Sequence, residues 1–286
     1  MDFARFIEGT RADIENALRR RISGPSDSEI LWRMLEGGKR LRPLLCILSF
    51  RACGGTDENY GGALDVAAAV ELGHCASLCH DDIVDRDLTR RGKPALWVEV
   101  GIPEALMAGH RAISLGLQIS LAQGAEIAKT FLEAWDLSLR GGLMEIDVIK
   151  GQRNPVTSYS DIIAKKTASL FSGASKIGTQ VARAPPDLQR LIEDYGMAVG
   201  VAYQIADDLS ELHEGKAGEL SSMMIEAGNP KGAASIQGFL RGKMEATVKR
   251  AEKLSRDKGI PESEFKPFLT QLPRHFVDQI LGEVSG

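Results

Sequence analysis

The sequence predicts an all-α protein, and three observations support that prediction. Apolar residues recur about every 3.6 residues, the helical period, along nearly all of the 286 residues. No segment shows a convincing alternation of apolar and polar residues, which is the pattern of a half-buried strand. The hydrophobic fraction of 43% is enough for a sizeable core. Because no repeat or linker divides the chain, we expect residues 1–286 to form a single helical domain.

The predicted helices are separated by residues that favour turns. Six breaks are rich in glycine, proline, asparagine or serine, namely GPSDSE, CGGTDENYGG, RGKP, GQRNPVTSYSD, APP and GNPKG. Ser26, Ser28 and Ser158 have side chains suited to capping helix N-termini. In chain order, helices are predicted at about residues 2–22, 28–36, 40–52, 60–86, 103–123, 125–150, 158–180, 187–213, 219–227, 231–257 and 262–283.

Two of the longest predicted helices, 60–86 and 187–213, are apolar around most of their circumference. Both are rich in alanine, glycine, valine and leucine. A helix that is apolar on all sides lies inside a bundle. Both helices also end in acidic residues, so we expect a charged rim beside an apolar lumen. Such a site suits a ligand with a hydrocarbon tail and an anionic head.

The acidic residues form two clusters. The first cluster, Asp81, Asp82 and Asp85, lies in HDDIVD, and the second cluster, Asp207, Asp208 and Glu211, lies in QIADDLSE. In each cluster the first and last carboxylates are four residues apart, so they share a helix face and repel each other. Carboxylate oxygens suit hard cations such as Mg²⁺, which would relieve that repulsion. We therefore predict that the two clusters face a cavity in which hard metal ions bridge a polyphosphate.

Polar and basic residues accompany the first cluster. His74 and Ser77 lie roughly on the helix stripe that also holds Asp85. Arg90 and Arg91 follow on a turn with glycine and proline, where guanidinium groups can reach phosphate oxygens. The alternative for HDDIVD alone is a solvated helix end with surface salt bridges. The arginine pair favours the phosphate site.

Polar residues in three further segments fit the same site. Lys39 and Arg42, three apart in GGKRLRP, face the same way at a predicted helix start, which favours anions. Lys166 and Thr167 precede a helix of small residues, and Gln204 lies one turn before the second cluster. Taken alone, Lys39 and Arg42 are a weak indication, because basic residues at helix starts are often solvated. Lys166 and Thr167 alone favour an ordinary helix interior with an exposed lysine.

Together these motifs resemble one protein family. In the family's order, the chain contains GGKRLRP, ELGHCASLCHDDIVDRDLTRRGKP, KTASLF and YQIADD across about residues 35–212. The chain is therefore similar to the trans-isoprenyl diphosphate synthases, also called polyprenyl synthetases, and especially to geranylgeranyl and longer-chain synthases. The resemblance implies a helical bundle of the terpenoid-synthase type with a central substrate cavity, usually a homodimer. It also implies Mg²⁺-dependent condensation of isopentenyl diphosphate with an allylic diphosphate.

The resemblance implies roles for individual residues. The expected isopentenyl diphosphate pocket consists of Lys39, Arg42, His74 and Arg91, and Arg90 is expected to clamp the allylic diphosphate. The expected catalytic residues at the reacting centre are Lys166, Thr167 and Gln204. The expected metal-binding residues are Asp81, Asp82, Asp85, Asp207 and Asp208, with Glu211 in support.

The resemblance also bears on product length. In the family, a bulky aromatic residue four or five positions before the first aspartate stops the growing chain early. Those positions here hold Ser77 and Ala76, both small, and Gly73 lies a turn deeper. Five helical residues span about 7.5 Å, so a hydrocarbon tail could pass them. We expect the product to be geranylgeranyl diphosphate or longer.

The chain departs from the family pattern at four places. Glu211 stands where the family has an aspartate, and Gly109–His110 stands where it has a Gly-Asp pair. The segment MEID at 144–147 keeps only the aspartate, Asp147, of the family's GQxxD motif. The segment GKAGEL at 215–220 replaces the family's GKxxGxD motif. Two alternative functions therefore stay open. A non-catalytic partner subunit of a heteromeric synthase should lack the acidic clusters. A class I terpene cyclase should have an asparagine-headed second metal motif, whose later positions here hold Glu211 and Gly215.

Composition restricts the expected partners and location. The net charge of -4 argues against general nucleic-acid binding. No apolar run approaches the roughly 20 residues that span a bilayer, and the charged, helix-periodic start resembles neither signal peptide nor anchor. We therefore expect no stable membrane insertion. Cys46, Cys53, Cys75 and Cys79 fit reduced, buried thiols of a cytoplasmic protein.

Overall fold

A computed structural model describes residues 2–23, 28–213, 223 and 232–283. Within this part of the chain, all regular structure is helical except for one short hairpin, which confirms the predicted all-α fold. The helices are α1 Phe3–Arg21, α2 Ser28–Leu35, α3 Leu41–Ala52, α4 Asp57–Val84, α5 Leu96–Val100, α6 Ile102–Gln123, α7 Ala125–Ile149, α8 Pro155–Ile163, α9 Ser169–Val181, α10 Pro186–His213, α11 Gly232–Ser255 and α12 Lys266–Glu283. Ser26, the stretch 215–220 and, apart from residue 223, the predicted helix 219–227 lie outside the described residues.

The two longest helices, α4 and α10, each pack against several others. α4 packs against α1, α3, α6 and α9, and α10 packs against α9, α11 and α12. Small residues allow close approach between the helices. A Cβ atom on Gly178 of α9 would lie 2.1 Å from the Cys46 carbonyl oxygen of α3, so only glycine permits this contact. This close packing explains why the sequence of the core helices is rich in glycine and alanine.

Among the described helices, α4 alone is long and apolar enough to cross a membrane by length and composition. This corrects the prediction that no apolar run approaches that length. However, 72% of its most apolar window is buried inside the bundle, and the core helix of a soluble protein passes the same test. Packing against its neighbours therefore accounts for the composition of α4.

The structure differs from the prediction between α4 and α6, where it adds a hairpin and the short helix α5. Thr89–Arg90 (β1) pairs antiparallel with Lys93–Pro94 (β2). Arg91 and Gly92, both with positive φ, form a two-residue turn of the kind that joins hairpin strands. Strands of two residues are too short to show an alternating pattern. The predicted RGKP turn is thus part of a hairpin that presents Arg90 and Arg91.

The predicted helix 158–180 is instead two helices joined by a π-helical turn. α8 begins earlier because the Asn154 side chain accepts a hydrogen bond from the backbone N–H of Thr157 at 3.1 Å, so Ser158 is not the cap. The helix then widens over Ala164–Ala168 before α9 continues. Such turns recur at functional sites. This one carries Lys166 and Thr167.

Candidate active site

One cavity of about 710 Å³ brings the two acidic clusters together. Asp81 comes from the last turn of α4, Asp85 follows that helix, and α10 contributes the second cluster. The sequence-predicted residues on the cavity wall are Lys39, Arg42, His74, Ser77, Asp81, Asp85, Arg90, Arg91, Lys166, Thr167, Gln204, Asp207, Asp208 and Glu211. The bundle therefore gathers side chains that lie more than a hundred residues apart in the sequence.

Both clusters lie near the C-terminal ends of their helices, where the helix dipole is negative. Burial raises the pKa of Asp81 to about 6; Lys166 opposes the rise, and Asp85 and Glu145 add to it. Burial likewise raises the pKa of Asp208 to about 6, against hydrogen bonds from Tyr159 and Gln204 that lower it. The negative charge of both clusters is thus costly without a cation.

The donor set fits magnesium only if other ligands complete it. The cavity-facing carboxylates supply the oxygen ligands that Mg²⁺ prefers. Among the described residues, no three histidine, cysteine, aspartate or glutamate side chains come close enough to hold a metal ion by themselves. Mg²⁺ usually keeps several waters and binds through one or two carboxylates plus substrate phosphates. The site therefore suits a metal that arrives with a phosphorylated ligand.

Two predicted site residues do not lie on the cavity wall, Asp82 and Ala76. The Asp82 carboxylate is buried and accepts a hydrogen bond from Arg90 Nε at 2.7 Å. Successive helical residues point about 100° apart, so Asp82 faces the hairpin when Asp81 faces the cavity. Ala76 is fully buried in the core. Asp82 thus holds Arg90 in place, and Ala76 packs between helices.

The basic side of the cavity contains Arg42 and His74 in direct contact. Arg42 Nη1 lies 2.9 Å from His74 Nε2, and because arginine only donates, His74 Nε2 must accept. Burial lowers the pKa of His74 well below its usual value, and Arg42 lowers it further, so the imidazole is neutral. The Arg42 guanidinium also lies 4.2 Å from the centre of the Phe171 ring. These contacts hold a buried cation on the cavity wall.

Arg40, which the sequence analysis did not single out, shapes the turn before α3. It has left-handed backbone angles, and its buried guanidinium donates to Glu71 Oε1 at 2.9 Å and to Glu15 Oε1 at 2.7 Å. A Cβ atom on Gly38 would lie 1.9 Å from Arg40 Nη1, so a side chain there would displace the guanidinium from Glu71. The turn thereby brings Lys39 to the cavity wall.

A hydrogen-bond chain joins the π-helical turn to the second cluster. Thr167 Oγ1 donates to Gln204 Oε1 at 2.7 Å, and Gln204 Nε2 donates to Asp208 Oδ1 at 2.9 Å. The hydroxyl group of Tyr159 donates to Asp208 Oδ2. The predicted catalytic residues Thr167 and Gln204 therefore form one connected unit with Asp208.

Comparison with known proteins identifies the family. A model of the polyprenyl synthetase family matches residues 27–219, which is more than half of the chain. The chain belongs to the polyprenyl synthetase family. It is 36% identical over 181 residues to a geranylgeranyl diphosphate synthase of Sulfolobus acidocaldarius, covering 60% of this chain and 54% of that protein. It is 34% identical over 233 residues to a short chain isoprenyl diphosphate synthase of Methanothermobacter thermautotrophicus, covering 78% and 66%.

The chain thus spans about half to two thirds of the length of these curated relatives. Its fold is similar to that of a polyprenyl synthase from Caulobacter crescentus, with a TM-score of 0.74 and 24% identity over 96% of this chain and 97% of that one. That structure is of a complex with calcium and isoprenyl diphosphate. The resemblance deduced from the motifs is confirmed for family and fold; the roles of individual residues stay predictions.

One cavity residue of this polyprenyl synthetase, Glu145, belongs to none of the sequence motifs. The Lys166 ammonium forms an ion pair with Glu145 on α7 and lies 4.0 Å from Asp81. Burial alone would lower the pKa of Lys166, but Asp81 and Glu145 raise it above its usual value. Asp147, which matches the family motif, pairs instead with Arg153 at 2.9 Å and does not line the cavity. Glu145 lies one helical turn after Gly141, where a Cβ atom would lie 2.3 Å from the Lys166 backbone nitrogen, so α7 brings Glu145 beside Lys166. No sequence pattern indicated this contact.

An apolar pocket adjoins the main cavity of the polyprenyl synthetase. The two share His74 and Leu170 as wall residues. Its remaining lining residues are Val70, Gly73, Phe131, Ala134, Trp135, Gly173, Ala174 and Ile177. A Cβ atom on Gly73 would lie 3.1 Å from the Phe131 ring, so the aromatic side chains of α7 close the pocket at the level of Gly73. A hydrocarbon tail would meet Phe131 there.

Proposed function

We propose that this protein is a trans-prenyltransferase that condenses isopentenyl diphosphate with an allylic diphosphate in the presence of Mg²⁺. One observation carries the proposal: both acidic clusters and the basic residues line a single cavity that adjoins an apolar pocket. Such a cavity matches two anionic heads and one hydrocarbon tail. The names of the relatives, which are prenyl diphosphate synthases, support the same reaction.

The carboxylates that would hold Mg²⁺ are Asp81 and Asp85 from one side and Asp207 from the other. When bound, the metal would neutralise negative charge on the allylic diphosphate as its C–O bond breaks. Arg90 and Lys166 line the same wall and would bind the departing diphosphate directly. Their cationic groups are already ordered by Asp82 and Glu145, so little reorganisation is needed.

The chain's own residues would also position the second substrate. Lys39, Arg42 and Arg91 would bind isopentenyl diphosphate, with neutral His74 fixing Arg42. The isopentenyl double bond then attacks the allylic carbon, a C–C bond forms and a proton leaves. The departed diphosphate can accept that proton, which removes the need for a protein base. Thr167 and Gln204 would direct oxygen atoms toward the cationic carbon.

The small residues above the apolar pocket support a product of geranylgeranyl length or longer, and Phe131 is the side chain that would limit it. Phe131 packs against Gly73, eight residues before Asp81, and eight helical residues span about 12 Å. Ser77, one turn before Asp81, is small and lines the cavity, so the tail can pass it. We expect Phe131→Ala to lengthen the product and Ser77→Phe to shorten it, as measured by chromatography of the dephosphorylated products. An unchanged distribution in both variants would contradict this path.

We also propose that the protein is a cytoplasmic homodimer. Large apolar side chains on α6 and α7 are exposed, namely Met107, Leu121, Leu132, Leu139 and Leu143. On α7, leucines at intervals of seven and four residues form a stripe that suits a second copy. Light scattering should give the dimer mass for the wild type and the monomer mass for Leu139→Arg. A wild-type monomer would contradict the dimer. The free, buried cysteines support a reducing compartment.

The decisive experiment for the reaction is incubation with isopentenyl diphosphate, Mg²⁺ and each allylic primer in turn, followed by chromatography. Elongated products are expected from at least one primer. No elongation by a folded sample would favour a non-catalytic partner subunit. A cyclic hydrocarbon formed without incorporation of isopentenyl diphosphate would favour a terpene cyclase.

A further inference from the structure

Tyr159 is a buried residue that the functional motifs do not contain. It lies on α8, its side chain is 1% exposed, and its hydroxyl group donates a hydrogen bond to Asp208 Oδ2. A buried tyrosine hydroxyl needs a polar partner, whereas phenylalanine would fill the same volume without one. The partner here is a carboxylate on the cavity wall, which connects this core residue to the site.

Three hydrogen bonds lead from Tyr159 to the reacting centre. Tyr159 donates to Asp208 Oδ2, and Asp208 Oδ1 accepts from Gln204 Nε2 at 2.9 Å. Gln204 Oε1 then accepts from Thr167 Oγ1 at 2.7 Å. Tyr159 itself does not line the cavity, whereas the other three residues do. The hydrogen-bond route from Tyr159 to the cavity therefore runs through Asp208.

These hydrogen bonds allow the side-chain amide of Gln204 only one orientation. If the amide turned over, its oxygen would face the Asp208 carboxylate, and two acceptors would meet. With Nε2 on Asp208, the amide oxygen lies beside Thr167 at the cavity wall. The negative end of the amide dipole is thereby available to a positive charge in the cavity.

The geometry points to Tyr159 as a positioning residue: through Asp208 it fixes the Gln204 amide with its oxygen at the reacting centre. This inference rests on the proposed prenyl transfer, in which the allylic carbon becomes cationic. The stabilisation acts on the transition state and on neither diphosphate. Loss of the Tyr159 hydroxyl group should therefore lower kcat and leave the KM of both substrates near the wild-type values.

Tyr159→Phe tests the inference, and Tyr195 supplies a matched control. Tyr195 on α10 is equally buried, but its hydroxyl group donates to the Leu269 carbonyl oxygen at 2.6 Å and does not reach the cavity. Each phenylalanine variant loses one buried hydrogen bond, and Tyr159→Phe should lose more thermal stability because its acceptor is a carboxylate. We expect Tyr159→Phe to lower kcat about tenfold to a hundredfold with both KM values within about twofold of wild type. Tyr195→Phe should keep the wild-type kcat.

A double variant shows whether Tyr159 acts through Gln204. Gln204→Leu removes the amide, so adding Tyr159→Phe should lower kcat little further, whereas independent effects would multiply. The inference is overturned if Tyr159→Phe keeps the wild-type kcat, or if Tyr195→Phe lowers kcat as much as Tyr159→Phe does. It is also overturned if the effects of Tyr159→Phe and Gln204→Leu on kcat multiply in the double variant.

A second measurement separates this inference from the proposed function. Failure of the proposed function appears as absence of elongation by both the wild type and Tyr195→Phe. The contact can then be followed by NMR without turnover. The side-chain amide protons of Gln204 should exchange with solvent faster in Tyr159→Phe than in Tyr195→Phe or the wild type. Equal exchange rates in all three proteins would overturn the inference.

Discussion

The two acidic clusters occupy equivalent positions near the C-terminal ends of α4 and α10, but Asp82 in the first and Asp208 in the second are held by different kinds of donor. In the first cluster, charged groups hold the carboxylates: Arg90 binds Asp82, and the Lys166 ammonium lies 4.0 Å from Asp81. In the second cluster, the Tyr159 hydroxyl and the Gln204 amide, both neutral, bind Asp208.

Because of this difference, the C-terminal ends of α4 and α10 are suited to different functions. The cations beside the first cluster can exchange a carboxylate for a phosphate oxygen, so this end is suited to receive and release a diphosphate. Neutral donors cannot cancel the charge of Asp208; they fix the orientation of its carboxylate. The second cluster is therefore suited to hold the geometry of the reacting centre.

The largest effect is expected from Asp81→Asn. This change removes a cavity-facing carboxylate, and with it charge stabilisation in the transition state. We expect kcat to fall about a hundredfold to a thousandfold in a fixed-time elongation assay. Asp136→Asn, which alters an exposed carboxylate paired with Arg140 at 2.8 Å, is the control and should keep wild-type activity. Full activity of Asp81→Asn would refute the metal role.

An intermediate effect is expected from Asp82→Asn, and it separates two roles within the first cluster. Because Asp82 holds Arg90, the change should raise the KM for the allylic diphosphate about tenfold. The Mg²⁺ concentration at half-maximal rate should stay at the wild-type value. Asp85→Asn should instead raise that concentration. If Asp82→Asn changes the Mg²⁺ requirement as strongly as Asp85→Asn does, Asp82 is a metal ligand after all.

These contrasts show how far the sequence alone could be taken. The motifs predicted the helices, the family and most of the cavity wall, because their residues recur at helical spacing in a fixed order. They did not separate Asp82 from Asp81, because the packing of α4 against its neighbours, not the motif, decides which carboxylate faces the cavity. Contacts with distant elements were also hidden: Asp208 binds Tyr159, 49 residues away in sequence, and Lys166 binds Glu145 rather than Asp147.

Backbone geometry accounts for the other differences. The π-helical turn Ala164–Ala168 has the same composition as an ordinary helix, so no sequence pattern indicated it. Two-residue strands show no alternation, and Arg91 reaches its left-handed conformation without a glycine at that position. Tertiary contacts determine these features, such as the Arg91 Nη1 hydrogen bond to the Glu36 carbonyl oxygen at 2.8 Å.

The smallest effect is expected in the pH dependence of stability. Burial raises the pKa of Asp208 in the folded protein to about 6, above its ordinary value of 3.8. Between these values the folded state binds more protons than the unfolded state, so the free energy of unfolding should rise as pH falls from 6 toward 4. Above pH 6 this stabilisation is lost. The Asp81 side chain is 34% exposed, so water screens it and its contribution should be smaller.

Thermal melts of the wild type and of Asp208→Asn from pH 7 to pH 4 measure this contribution. As the pH falls through 6, the melting temperature of the wild type should rise relative to that of Asp208→Asn, because asparagine cannot take up a proton. Saturating Mg²⁺ and inorganic pyrophosphate should suppress the change. A difference that stays constant over the whole range would show that Asp208 does not titrate there.

The most direct measurement of the central claim is a crystal structure with inorganic pyrophosphate and Mn²⁺, an anomalous scatterer that takes the oxygen ligands of Mg²⁺. We expect anomalous peaks at both helix ends, next to Asp81 and Asp85 and next to Asp207, with pyrophosphate oxygens completing the ligand sets. Metal bound at only one helix end, or outside the cavity, would contradict the claim that α4 and α10 together bind one anionic substrate between their C-terminal ends.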